Sequence, residues 1–354
     1  MVSFFKRLAT GRRLETMIGG GVVVALVVAG GTAAGFAITS GGSTTVSPPT
    51  TTPTSAAAPM TTAPSTTPSS APDRITPTTL LPTTNAGEAA PTTEASKLIS
   101  DTCLYSHGAN DDPILMPRQA GQSMAHDFYG NVTTSATSTA TSLVGALTTC
   151  STSADASAYW TPVLYQNGVA ITPERNLIYW TGLHATDPTV TAPPVGLEMI
   201  AGNENATSPQ SVRVVAWRCA DQLPQVPSAM PVNCAGTKGL ELRVTFPSCW
   251  NGRTLNGASQ DNVVYPQTNT RCPAGYSVRI PTVVFHVIYP ITSATGLTLS
   301  MGPGQQGSTD TAHGDFINGW NQSVVNRLIS GCASPSLTCG HVTGAEAQVH
   351  PRSL

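Results

Sequence analysis

The sequence predicts a mainly β domain of the sandwich or jelly-roll class, with one or two short helices and several disulfides. Short runs rich in β-branched residues recur between clusters of Pro, Gly and Asn, a pattern typical of such domains. Charged residues make up only 10% of the chain, and all eight cysteines follow residue 102. An even number of cysteines in a chain of this composition indicates an exported, disulfide-bonded protein.

Five apolar runs are the predicted strands. Residues 241–246 alternate between apolar and polar, as in a strand with one buried face, whereas residues 283–289 are almost wholly apolar, as in a central strand. His286 lies in the second of these runs, and we expect it to be a buried histidine with its hydrogen bonds satisfied. The five runs are residues 159–165, 211–219, 240–246, 281–289 and 297–301.

Two segments have helical spacing. Apolar residues from Trp320 to Ile329 recur every three or four positions, which predicts a helix that ends at Gly331. Residues 141–147 predict a shorter helix. Asn318 is suitably placed to cap the longer helix, with Trp320 filling the core beneath it.

The cysteines predict disulfides rather than a zinc–thiolate site, since no Cys-x-x-Cys pair occurs. Two local pairings are expected because each brackets a turn-rich segment: Cys219 with Cys234, and Cys249 with Cys272. The full set is Cys103, Cys150, Cys219, Cys234, Cys249, Cys272, Cys332 and Cys339.

The region before the first cysteine predicts a membrane-anchored protein. Residues 17–38 carry no charge and would span about 33 Å as a helix, enough to cross a bilayer core. The basic residues before them would stay inside the cell, which leaves the bulk of the chain extracytoplasmic. The alternative is a cleaved signal peptide and a secreted protein. The predicted segments are a cytoplasmic basic region (1–16), a transmembrane signal-anchor (17–38), a disordered Thr/Ser/Pro-rich stalk (39–96), an extracytoplasmic β domain (97–343) and a frayed tail (344–354).

The stalk region has the composition of a disordered spacer. Thr, Ser, Pro and Ala make up nearly all of it, so it cannot bury enough apolar surface to offset the entropy of ordering. It is a candidate for O-glycosylation, or it is a bare flexible spacer.

Charge and motifs exclude several function classes. The formal net charge is −2, and no basic stripe is present that could follow a phosphate backbone, so we expect no nucleic-acid partner. No phosphate-binding loop, dinucleotide fingerprint, nucleophile elbow or zinc-protease motif occurs, and we predict neither a cofactor nor a metal. The expected partners are the membrane, through the N-terminal helix, and a cell-wall glycan.

Two segments that echo each other predict the functional site. Residues 126–131 (HDFYGN) and 313–320 (HGDFINGW) both read as His, Asp and Phe followed by Asn beside Gly. His313 and Asp315 are two apart, so on a strand they face the same side, whereas the adjacent His126 and Asp127 face opposite sides. An imidazole beside a carboxylate suits a general base or a sugar-hydroxyl clamp.

The candidate residues fall into two groups. The catalytic candidates are His126, Asp127, His313 and Asp315. The binding candidates are Tyr129, Asn131, Asp261, Asn318 and Trp320. Each has a structural alternative as a turn, cap or core residue.

Several sequence blocks resemble the domain-of-unknown-function family 1996, which occurs in secreted proteins of actinobacteria and fungi. The blocks are 126–131 (HDFYGN), 159–162 (YWTP), 196–202 (GLEMIAG), 246–252 (FPSCWNG), 265–266 (YP), 271–273 (RCP) and 313–320 (HGDFINGW). They follow the family order over about residues 112–332. The resemblance implies that the protein acts at cell-wall polysaccharide. The family has no established activity.

The chain departs from the family pattern at two positions. Met124 and Asn262 stand where family members usually have histidine. If the family site binds a metal through imidazoles, the replacements imply a weaker site here and favour a binder over a catalyst.

Three functions therefore remain open. The first is a membrane-anchored protein that binds cell-wall polysaccharide in a His/Asp cleft. The second is a polysaccharide hydrolase or lyase with Asp and His as acid and base. The third is a structural surface protein without a site. The sequence does not decide whether the protein is an enzyme.

Overall fold

The computed structural model describes residues 74–75, 97–183, 190–267, 271–333 and 339–351, and they form a mainly β structure. Two α-helices and a 3₁₀ helix accompany the strands in these ranges. The helices are α1 (Ala140–Leu143), α2 (Gln322–Ala333) and the 3₁₀ helix Thr309–Thr311. The strands are β1 (Arg74–Ile75), β2 (Lys97–Ala109), β3 (His126–Gly130), β4 (Ala158–Pro162), β5 (Leu164–Gln166), β6 (Val169–Ile171), β7 (Arg175–Leu183), β8 (Glu198–Gly202), β9 (Val215–Cys219), β10 (Leu240–Thr245), β11 (Cys249–Trp250), β12 (Val263–Val264), β13 (Val278–Arg279), β14 (Thr282–Tyr289), β15 (Leu297–Gly302), β16 (Gln305–Gly307), β17 (His313–Ile317), β18 (Gly340–Thr343) and β19 (Gln348–Pro351).

The largest sheet has the order β8-β17-β4-β3-β2-β7-β14-β10-β9, with the β18–β19 hairpin attached to β2. The first part of β2 pairs with β7 and its second part with β3, and its register shifts between Tyr105 and His107. The long strand β2 therefore joins two halves of the sheet, β8-β17-β4-β3 and β7-β14-β10-β9.

The main core lies between these two halves. Tyr159 of β4 packs edge-on against Phe285 of β14, with ring centroids 5.5 Å apart. Phe316 of β17 contacts Trp180 of β7, with ring centroids 5.9 Å apart. Side chains of the two halves thus pack against each other, and the described residues are mainly β with two α-helices, as predicted.

A second, smaller core covers the outer face of the β8-β17-β4-β3 half. Its buried members include Phe128, Trp160 and Ile317 from the strands and Leu143 from α1. Ile114, in the segment between β2 and β3, belongs to the same cluster and helps to cover it. This face also carries the candidate site.

The predicted strands are confirmed, with small shifts at their ends. Runs 211–219, 240–246, 281–289 and 297–301 contain β9, β10, β14 and β15, and run 159–165 contains β4 and β5. His286 is buried and bonded to Glu241 and Arg218, as expected. All eight cysteines form disulfides, which confirms both local pairings; the four pairs are Cys103–Cys150, Cys219–Cys234, Cys249–Cys272 and Cys332–Cys339.

The helix ends differ from the prediction. Asn321, rather than Asn318, caps α2, because its Oδ1 accepts from the backbone N–H groups of Ser323 and Val324. The helix continues past Gly331 to Ala333, and the shorter helix α1 ends four residues before the predicted position, at Leu143.

The expected frayed tail is largely ordered. Residues 348–351 form β19, whose backbone pairs with β18. The prediction relied on the polar composition of the tail. The hydrogen bonds between paired strands join backbone groups, so they do not require apolar side chains.

The predicted basic region and signal-anchor (1–38) lie outside the described residues. Of the predicted stalk, only β1 is described, and its two residues pair with β6, contrary to the expected disorder. In the described ranges no helix has the length and apolar character needed to span a bilayer.

Candidate functional site

The two echoing segments meet on the outer face of the sheet. His126 begins β3 and His313 begins β17, with β4 between them. His126 pairs with Pro162, and the β17–β4 register, continued by two residues, brings His313 level with the same proline. The two imidazoles therefore lie on either side of Pro162, and their ring centroids are 5.9 Å apart.

Both rings are fixed in the same way by the backbone. Nδ1 of His126 lies 2.9 Å from the carbonyl oxygen of Asp111, and Nδ1 of His313 lies 2.7 Å from that of Thr311. A carbonyl can only accept, so each Nδ1 carries the proton and donates it. Each Nε2 is therefore left with a lone pair that points away from these anchors.

Asp315 completes what we call the histidine cluster: His126, His313 and Asp315. Oδ2 of Asp315 lies 3.6 Å from Nε2 of His313. One donor atom from each residue lies within 4.8 Å of the others, and the three residues are 0%, 1% and 0% exposed. Both Nε2 atoms and both carboxylate oxygens lack a hydrogen-bond partner.

Burial sets the protonation of the cluster. It lowers the pKa of His126 to about 4. Burial, aided by His126, lowers the pKa of His313 to about 4. Burial also raises the pKa of Asp315 well above its ordinary value, and the nearby carboxyls of Asp112 and Glu204 add to the effect. Two neutral imidazoles thus face a carboxyl group that resists ionisation.

Close packing of β8 supports the cluster. Gly202 pairs with His313 and has a φ of +93°, which favours glycine. A Cβ at this position would lie 2.7 Å from the carbonyl oxygen of Ala312 and 2.9 Å from Cα of His313. A side chain at residue 202 would therefore push β8 away from the strand that carries two of the three site residues.

A polar hollow lies beside the cluster, at the end of β8. It has a volume of about 380 Å³. Gln210 connects it to the site, because its Nε2 donates to the carbonyl oxygens of Asp310 and Ala312, just before His313. The hollow is lined by Asn203, Asn205, Ala206, Thr207, Ser208, Pro209, Gln210 and Ser211.

The donor set suits a metal ion. Two imidazole nitrogens and a carboxylate are ligands that zinc and other divalent transition metals use. A second cluster in the described ranges, Asp101 and Asp155 beside the Cys103–Cys150 disulfide, is a poorer candidate. Its two sulfurs are bonded to each other and offer no thiolate.

The structure separates Asp127 and Tyr129 from the cluster. Because successive side chains of a strand point to opposite faces, both residues lie on the face of β3 opposite to His126, towards the main core. Tyr129 is fully buried there, and its hydroxyl lies 3.3 Å from Oγ1 of Thr161. The opposite orientations expected for His126 and Asp127 agree with this. Asp127 and Asp315 therefore lie on opposite faces of the sheet and do not form an acid–base pair.

The remaining binding candidates are held elsewhere. Asn131 and Asn318 are fully buried, and their side chains donate to backbone carbonyls at positions 143 and 156, and 193 and 194, respectively. Trp320 lies in the main core. Asp261 is exposed and its Oδ1 accepts from the Ser259 hydroxyl. The core position of Trp320 matches its structural alternative, whereas Asn318 ties down the backbone at residues 193 and 194 instead of capping α2.

Sequence reasoning missed the surroundings of the cluster. Asp112 and Glu204 act electrostatically on Asp315, and Asp111 and Thr311 anchor the rings through carbonyl oxygens. The acidic pair 111–112 lies at the start of the family-like region and could have been noticed. Backbone anchors leave no signal in residue type.

At the two departures from the family pattern, Met124 is half-buried, and Asn262 is buried and donates to the carbonyl oxygens of Glu198 and Leu255. Asn262 thus has a structural role in this chain.

Comparison with known proteins identifies a family but no activity. No curated protein and no solved structure matches the chain. Residues 112–320, more than half of the 354 residues, match the family model described as "Domain of unknown function (DUF1996)". That range contains the histidine cluster and the polar hollow, and the chain belongs to the DUF1996 family.

Proposed function

We propose that this protein is extracytoplasmic and binds cell-wall polysaccharide at the polar hollow beside the histidine cluster. The observation that carries the proposal is the lining of the hollow, in which six of eight residues have uncharged amide or hydroxyl side chains. Such groups donate to and accept from sugar hydroxyls, and a lining without charge favours a neutral ligand. The four disulfides support an oxidising compartment.

The position of the ligand differs from the open His/Asp cleft expected from the sequence. The three cluster residues are at most 1% exposed, so a polymer would contact the neighbouring hollow rather than the imidazoles. Membrane anchoring through residues 17–38, or secretion after cleavage, remains part of this proposal.

A second candidate is a polysaccharide hydrolase or lyase. It is favoured by the 3.6 Å approach of His313 Nε2 to Asp315 Oδ2, two atoms without hydrogen-bond partners beside the hollow. Asp127 cannot serve as the second carboxylate because it faces the other side of the sheet.

A binding assay tests the proposal. The full-length protein would be applied to an array of neutral wall polysaccharides, together with an Asn205→Ala/Ser208→Ala variant. Each lost hydrogen bond costs about 1 kcal/mol, so the double variant should lose about 2 kcal/mol and bind roughly thirtyfold more weakly. Asn256→Ala, an exposed asparagine outside the hollow, is the matched control.

Two results would count against the proposal: no glycan retained by the wild type, or equal retention by the hollow variant. Binding with release of shortened or unsaturated products would favour the hydrolase or lyase.

A further inference from the structure

We propose that the histidine cluster binds one divalent transition-metal ion, held by Nε2 of His126, Nε2 of His313 and the carboxylate of Asp315. The inference goes beyond the proposed function and does not depend on any glycan.

The first argument is the number of buried atoms without partners. Four polar atoms of the cluster, the two Nε2 atoms and the two oxygens of Asp315, make no hydrogen bond. Leaving one such group unpaired in a protein interior costs about 1–3 kcal/mol, so four on the two strands that flank β4 need an explanation. A cation would satisfy the two Nε2 atoms and one oxygen of Asp315, because each offers a lone pair.

The second argument is the orientation of the rings. A metal-bound histidine usually donates its other ring N–H to a carbonyl or carboxylate, which fixes the ring and keeps the ligating nitrogen unprotonated. His126 and His313 both do this, through the carbonyl oxygens of Asp111 and Thr311. Among the histidines that the structure describes, only these two bury a ring nitrogen without a partner.

The third argument is distance. Two ligands at about 2.1 Å from a tetrahedral ion lie about 3.4 Å apart. His313 Nε2 and Asp315 Oδ2 are separated by 3.6 Å, close to that value. All three donor atoms fall within 4.8 Å, so shifts of about 1 Å would bring them onto one ion.

A hydrogen bond between Asp315 and His313 is the simplest explanation without a metal. The same 3.6 Å separation is too long for a bond between these atoms, which would normally lie at 2.7–3.2 Å. Sharing a proton would also leave Nε2 of His126 unpaired.

Local charge also favours a cation. The charged groups that act on Asp315 are Asp112 and Glu204, and both are acidic. A bound cation would offset this negative charge.

The ligands select the class of ion. Imidazole nitrogens favour zinc, copper, iron or nickel, whereas calcium and magnesium prefer oxygen ligands throughout. Three protein ligands leave one coordination position of the ion open. A water molecule bound at that position could be activated by the ion.

The test uses the full-length protein, stripped with a chelator and examined without glycan. Cobalt(II) would be titrated and followed by its visible absorption, zinc would be titrated by calorimetry, and bound metal would be counted by elemental analysis. We expect one ion per chain for the wild type. Asp315→Asn, which keeps the side-chain shape, and His313→Gln should each weaken binding at least tenfold.

His350→Gln is the matched control, because His350 is an exposed histidine of β19 outside the cluster. It should bind like the wild type. Circular dichroism and thermal unfolding would confirm that each variant is folded.

The inference is overturned if the folded wild type takes up no stoichiometric ion, or if Asp315→Asn and His313→Gln bind as well as His350→Gln. Metal binding without glycan binding would retain this inference and reject the proposed function, and the converse result would do the opposite.

Discussion

Two of the buried polar clusters that the structure describes, the arginine triad and the histidine cluster, combine histidine with a carboxyl group, but only the first is internally satisfied. In the arginine triad, Arg218, Glu241 and His286, Oε1 of Glu241 lies 2.6 Å from Nε of Arg218 and 2.7 Å from Nδ1 of His286. Although burial opposes ionisation, His286 and Arg218 lower the pKa of Glu241. In the histidine cluster the facing atoms have no partner, and burial raises the pKa of Asp315.

The difference separates a structural cluster from a candidate site. Both are almost excluded from solvent, so burial alone does not distinguish them. The arginine triad contains its own cation and has no need of a ligand. The histidine cluster contains only lone pairs, and its ring anchors hold those lone pairs towards a common point.

The largest expected effect is in the arginine triad. Replacing Glu241→Gln removes the charge that lies 2.6 Å from Nε of Arg218, and breaking a buried ion pair in this way costs about 3–5 kcal/mol. Urea unfolding at pH 7 with a chelator present measures the loss. A control that replaces all three, Arg218→Met/Glu241→Leu/His286→Leu, should recover most of the stability. A loss below about 1 kcal/mol for Glu241→Gln would contradict the structural role.

A smaller effect on stability is expected at a pair of buried carboxyl groups, Asp101 and Asp155. Both are fully buried, and burial raises the pKa of Asp155 to about 6 and that of Asp101 well above its ordinary value. Oδ1 of Asp101 accepts from the N–H and hydroxyl of Ser151, and Oδ2 of Asp155 accepts from the Tyr159 hydroxyl 2.7 Å away. His341 faces the same hydroxyl of Ser151.

These raised pKa values fix the sign of a pH dependence. The folded state holds protons that the unfolded state releases, so the contribution of this pair to stability is greatest below about pH 4 and is lost as the pH rises through about 6. For Asp155 alone the loss is about 3 kcal/mol, from about 1.4 kcal/mol per pKa unit. Asp101→Asn places an amide beside Asp155 and should flatten this profile in urea unfolding between pH 4 and pH 7.5. If the free energy of unfolding depends on pH in the variant as it does in the wild type, Asp101 and Asp155 do not share a proton.

The smallest effect is expected for Asp315→Asn in the metal-free protein. The amide can donate towards the unpaired imidazole nitrogens, so the free energy of unfolding should stay the same or rise by about 1 kcal/mol. With metal at 100 times its dissociation constant, the wild type should gain about 2.7 kcal/mol and the variant almost nothing. A destabilisation as large as that of Glu241→Gln, measured in the same buffer, would remove the contrast between the two clusters.

Much of the fold could be predicted because its signals are local. The runs that became β10 and β14 are β-branched and bounded by turn residues, and their period is visible in the sequence. The caps were harder to predict: Asn318 and Asn321 are the same residue type near the same helix, and only the hydrogen bonds distinguish them. Backbone pairing of the polar tail left no apolar pattern to detect.

For the site, the sequence predicted which segments meet but not how. The repeated His-Asp-Phe pattern pointed to His126 and His313, and the structure brings their rings together. Strand alternation, applied to Asp127, would also have placed Tyr129 in the core. The burial of the cluster depends on the covering segment around Ile114, and its anchors are carbonyl oxygens, so neither could be predicted from residue types.

Strand β2 has a mechanical consequence. The strand is the fifth of nine in the sheet order and therefore not an edge strand. It begins at Lys97, and the chain is described without a gap from that residue to residue 183. Tension applied to the chain at that residue would enter a strand flanked by β7 on one side and by β18 and β3 on the other. Such a load must shear many hydrogen bonds at once, whereas an edge strand can be peeled away one bond at a time.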